Sequence, residues 1–184
     1  MFNKLLEAFK ITVRNDKHLF RRYLILGSFD GLLVAVSVLV ASVLSGVSEQ
    51  KFIPAVVSGI IGVTISSMWN TLIVELKEKQ EELKELERQM MRTLKGTIYD
   101  YSNKLSVILS TISHSLSPLL GLVVILIYNL TRNVSVTIFL SAISLSILGF
   151  VYEGDLKEKM TTAILMFIAG LIASFLSILI ATSP

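Results

Sequence analysis

Long apolar runs, separated by short polar stretches, dominate the chain. Five of them, Tyr23–Gly46, Phe52–Val74, Leu105–Asn129, Val134–Tyr152 and Met160–Ser183, carry no charged residue inside them except Asp30. Each is close to the roughly 20 residues a helix needs to cross a bilayer. None shows the short alternating segments of a membrane β-barrel. The pattern predicts an all-α integral membrane protein with five transmembrane helices.

The second helix is expected to continue beyond the membrane. Glu75–Leu94 is rich in strong helix formers and has no Gly or Pro. Leu76, Leu83, Leu86, Met90 and Leu94 form an apolar seam close to a coiled-coil pattern. Gly96 is the predicted stop, and Thr97–Lys104 reads as a second amphipathic piece leading into the third span. At the other end, Phe2, Leu5, Leu6, Phe9, Ile11 and Val13 alternate with Lys4, Lys10 and Arg14 in a leader suited to the membrane surface. The chain thus divides into a leader (1–22), transmembrane helices 1–2 (23–74), a helical segment (75–104) and transmembrane helices 3–5 (105–184).

Charge sets the expected orientation. Fifteen of the 17 Lys and Arg residues lie in the leader, in 75–104 and in the link between the fourth and fifth spans. Only Lys51 and Arg132 fall on the other side. The positive-inside rule predicts a cytoplasmic N-terminus and a C-terminus on the opposite side. The net charge is only +3 and its basic residues flank membrane segments, so nucleic acid is not an expected partner. The chain has no Cys, which excludes disulfides, thiolate metal sites and cysteine catalysis. No Ser-His-Asp order, zinc-type spacing or nucleotide loop is present, so neither an enzyme nor a cofactor is expected.

Asp30 is the residue with most to explain. A carboxylate at membrane depth costs roughly 2.5–3.5 kcal/mol on insertion scales and usually faces a bundle interior or a wet path. Gly27 and Gly31, four residues apart, share a helix face that admits a close neighbour. Met68 in the second span is either a space filler or a soft metal ligand. Asn70 is more simply read as interhelical glue. His114 lies four residues before Pro118, where a kink should free the His114 carbonyl. Its imidazole is either a hydrogen-bonded interior group or a proton relay or transient ligand. Glu78, Glu82 and Glu85 line one face of the helical extension, either as a solvated surface or as a collector of divalent cations.

These residues resemble those of the vacuolar iron transporter family. The first span matches the family's pattern at Arg22, Gly27, Asp30, Gly31 and Leu32, and Ser67-Met68 resembles the Ser-Met of its second span. Leu148-Gly149, the short polar link after it and Ala169-Gly170 resemble the closing helix pair. Leu19 and Tyr23 stand where family members often have acids. The resemblance implies a homodimer in the lipid bilayer that exports Fe2+ or Mn2+ from the cytoplasm. The ion path would run along the subunit interface, with Asp30 and Met68 as ligands and Glu78, Glu82 and Glu85 gathering cations. Metal binding that displaces a carboxyl proton would offer a route to proton exchange. The alternative is a non-transporting membrane scaffold whose cytoplasmic helix binds a partner and whose Asp30 is structural.

Overall fold

The computed structural model describes residues 2–183, with side chains from Leu6 onward. The side chains of Phe2, Lys4 and Leu5, which belong to the predicted leader, lie outside the described residues. Among the described residues the chain is all helix and turn, with no strand. The helices are α1 (Phe2–Asn15), α2 (Lys17–Leu44), α3 (Glu49–Met90), α4 (Ile98–Leu116), α5 (Leu122–Thr131), α6 (Val134–Phe150) and α7 (Leu156–Thr182). A 3-10 segment, Ser117–Gly121, joins α4 to α5.

Among the described residues, four stretches are long and apolar enough to cross a membrane: α2, α3, residues 98–131 taken together, and α7. Helix α6 is equally apolar but has 17 residues. The outward faces of these helices are studded with exposed Ile65, Leu126, Phe139, Leu165, Ile172 and Phe175. An outer surface this apolar is suited to lipid, which solvates Leu and Phe as well as a protein core does.

Helix α2 is the hub and packs against α3, α4, α5, α6 and α7. Its Leu32, Val36 and Leu39 meet Phe52, Val56 and Ile60 of α3, Val124 of α5 and Leu145 of α6 in one buried cluster. Small residues set the closest approaches. A Cβ on Gly149 would overlap the Ala163 backbone, and Gly170 faces Ala142 and Leu145, so α6 and α7 pack almost backbone to backbone.

Helix α3 has 42 residues and is therefore about 63 Å long at the usual helical rise. That is about twice the roughly 30 Å thickness of a bilayer core. It stops at Met90, short of the predicted limit at Leu94–Gly96. Met91 takes the left-handed cap conformation at φ 50°. The reason is local: Glu87 Oε1 accepts from the Leu94 N–H at 2.7 Å and from Thr93 Oγ1 at 3.1 Å, folding the chain back so that Leu94 is fully buried. Gly96 (φ 72°) then serves a turn rather than a helix end. Within the leader, α1 is docked in part. Ala8 and Thr12 are fully buried, and Thr12 Oγ1 lies 2.8 Å from Ser102 Oγ in α4. Leu6, Phe9 and Val13 stay exposed.

Ion pairs gather the basic segments at one end of the bundle. Glu153, in the α6–α7 link, pairs with Arg21 and His18 of α2, and Lys79 of the α3 extension lies 3.5 Å from Asp16. At the opposite end Glu49 pairs with Arg132.

Candidate functional site

Asp30 sits midway along α2, at the turn where the bundle comes closest to a backbone contact. Gly31 meets Pro118 so tightly that any Cβ would overlap the proline backbone, and Gly121 returns the contact against the Gly31 carbonyl. Gly27 fits beneath Ser117 and the His114 carbonyl. The Gly27/Gly31 face is thus used inside the protomer, by the bend of the third span. The close neighbour that this face admits is the chain's own Pro118. The predicted kink is present as the 3-10 segment, and Ser117 Oγ donates to the freed His114 carbonyl at 3.0 Å.

Beside this contact, Asp30, Ser66, Ser67, Asn70 and His114 line one cleft of about 370 Å³, closed on its apolar side by Leu33, Val34 and Val63. Asp30, Ser66 and Asn70 are exposed on the outer surface of the protomer. Ser67 is buried. Met68 does not share this cleft. It lines a neighbouring hollow with Ile65 and Trp69, separated from Asp30 by Ser66 and Asn70, which border both. Within one protomer the two expected ligands are therefore apart.

His114 is the best-anchored member of the site. Its Nδ1 lies 2.5 Å from Thr71 Oγ1, and its ring stacks on Tyr23 with centroids 5.0 Å apart. Its Nε2 is buried without a partner. Tyr23 in turn donates to Glu75 Oε1 at 2.7 Å. Glu75 is 1% exposed, and its second oxygen is also unpartnered. Glu75 precedes Lys79 by one helical turn but does not pair with it among the described residues. Instead it turns inward, while Lys79 binds Glu82 at 2.9 Å and approaches Asp16. Burial works against the Lys79 charge, but the Glu82 and Asp16 carboxylates outweigh it and raise its pKa above the ordinary lysine value.

Glu75, Tyr23 and Thr71 are site residues that sequence reasoning passed over. A signal for two of them was present. Ile60, Ser67, Thr71 and Glu75 repeat at steps of seven, four and four along the buried face of α3, so the buried stripe continues straight into the glutamate.

Glu78, Glu82 and Glu85 are exposed on the α3 extension. Glu82 is paired with Lys79, and Glu85 lies 3.6 Å from Arg88 and accepts from Gln89. Among the described residues no three His, Asp or Glu side chains gather as a metal-binding group. No family model matches the chain, and comparison with curated proteins and with solved structures also finds no match.

Proposed function

We propose that the protein is a divalent-cation transporter of the vacuolar iron transporter type, moving Fe2+ or Mn2+ out of the cytoplasm as a homodimer. The observation that carries this reading is the position of Asp30. A carboxylate opens onto the outer surface of a single protomer, halfway along an apolar helix, in a cleft lined by serine, asparagine and histidine. Lipid is a poor neighbour for such a group, so a second protein surface or a wet path must cover it.

A second copy of the chain suits that role. Ser58, Gly62, Ser66 and Asn70 recur every four residues on α3, all exposed, and nothing lies within 4 Å of a Cβ placed on Gly62. Such a line of small residues allows close helix approach. Two α3 helices meeting along it would bring two Asp30 clefts together and place Met68 of each copy near the joint. Hard carboxylate oxygens and a thioether would then share one path.

In this reading α6 also crosses, as the fourth of five spans. Its 17 residues are at the short end of the spanning range and are accommodated by local thinning of the bilayer. The basic end of the bundle, with the leader and the α3 extension, faces the cytoplasm. Asp30 exchanges a proton for the cation, and the Glu78/Glu82/Glu85 face attracts cations electrostatically.

The test is uptake of Fe2+ and Mn2+ into proteoliposomes under an imposed pH gradient, parent beside Asp30→Asn. Gradient-dependent uptake that the substitution abolishes supports the proposal. Absence of uptake by folded, correctly oriented protein overturns it in favour of a membrane scaffold acting through the α3 extension.

A further inference from the structure

An imidazole nitrogen buried without a partner is rare, because the lost hydrogen bond to water is not replaced. His114 Nε2 is one. The rest of the ring is fixed from three sides. Thr71 holds Nδ1, Tyr23 covers the face, and the edge carrying Cδ2 lies where Gly27 has no Cβ. The ring lines the same cleft as Asp30. Everything about the imidazole is satisfied except the nitrogen next to that edge.

We propose that His114 Nε2 is a direct cation ligand paired with Asp30 of the same protomer, and that it tunes the cleft to first-row divalent transition-metal ions over Mg2+ and Ca2+. Thr71 is the positioning residue. Metal-binding imidazoles usually donate their other N–H to a neighbouring acceptor, which sets the tautomer and the ring plane. With the proton on Nδ1 and donated to Thr71 Oγ1, Nε2 presents its lone pair to the cleft. A nitrogen donor suits Mn2+, Fe2+, Co2+ and Zn2+, whereas Mg2+ and Ca2+ are bound mainly by oxygen. Ser66 and Asn70 add neutral oxygens on the cleft's open side. Discrimination is thereby assigned to the third span, a role that Met68 in its separate hollow does not fill within one protomer. The inference rests on the transporter reading for the passage of the ion, but its binding is measurable without transport.

The experiment is Mn2+ binding to the full chain purified in detergent, followed by spin-echo electron paramagnetic resonance, with Mg2+ as competitor. The chain has two histidines, so His18→Gln removes the other imidazole. Nitrogen modulation of the Mn2+ signal is expected in the parent and in His18→Gln, and is lost in His114→Gln. His114→Gln should weaken Mn2+ binding about tenfold or more and leave Mg2+ affinity unchanged, so that Mg2+ displaces Mn2+ more readily than in the parent. Loss of a positioning partner lowers metal affinity roughly 10–100-fold, so Thr71→Val should weaken Mn2+ binding while Thr71→Ser retains it. Bound Mn2+ with no nitrogen modulation in the parent overturns the proposal, and needs no variant to fold. Unchanged affinity in His114→Gln, with Asp30→Asn abolishing binding, overturns the His114 assignment and leaves the transporter reading intact. No Mn2+ binding to the parent overturns both.

Discussion

The Tyr23 hydroxyl donates to Glu75 Oε1 across 52 residues of sequence, at 2.7 Å, and joins the basic ends of α2 and α3. It is the only hydrogen bond the described residues give to this almost fully buried carboxylate, whose other oxygen is unpartnered. Tyr23→Phe should therefore lower stability by about 1–3 kcal/mol, the cost of leaving a buried polar group unsatisfied. A double-mutant cycle with Glu75→Gln, read by unfolding in detergent, checks it. Additive losses would show that the two side chains do not act as a pair.

Gly31 and Gly62 should respond in opposite ways. Gly31→Ala forces its methyl group into the Pro118 backbone and should destabilise the protomer strongly, by several kcal/mol if the bend cannot shift. Gly62→Leu meets nothing in the protomer. It should leave thermal stability of the monomeric species unchanged while shifting a dimer to monomer. Mass measurement in detergent or nanodiscs reads the second effect, and an unaffected dimer would place the subunit contact elsewhere.

Asp100 gives the helix turn before α4 an acid-sensitive point. It accepts from the Gly96 N–H at 2.9 Å and pairs with Lys104 at 3.0 Å, and these hold its carboxyl below the usual carboxylate range. A lowered folded value means that the contribution is full above the unfolded value near about 4 and is lost as the pH falls through the folded value. Asp100→Asn should lower stability near neutral pH by about 1 kcal/mol and remove this share of the acid-side loss. Unfolding midpoints measured on both sides of that range check the sign.

Thr12 ties the leader to the bundle. Thr12→Val leaves Ser102 without its hydroxyl partner and should release α1 locally rather than unfold the protein. Faster hydrogen exchange at residues 6–15, with little change in the transmembrane helices, is the expected result.

Legibility differed between the two halves of the α3 helix. Its apolar half announced itself by hydropathy, and its polar half by helix formers and an apolar seam. Its end did not, because Glu87 captures the Leu94 N–H and the Thr93 hydroxyl in a fold-back that no propensity encodes. Asp30 stood out as a lone charge in an apolar run, and His114 was marked by its proline. The companions of these residues were hidden, since Thr71 and Glu75 become meaningful only when α2 and α4 lie alongside α3.

By itself, the sequence determined that the chain is helical, that most of its helices are apolar enough for a membrane, and that one carboxylate is stranded among them. Those properties follow from residue type and spacing, which act locally along the chain. Tertiary structure alone decided that Gly27 and Gly31 serve the internal Pro118 contact, that Met68 and Asp30 line separate hollows, and that His114 is held by Thr71 beside Asp30. Such relationships depend on how helices rotate and approach one another. A rotation of one residue, about 100°, carries a side chain from a cleft to the lipid face.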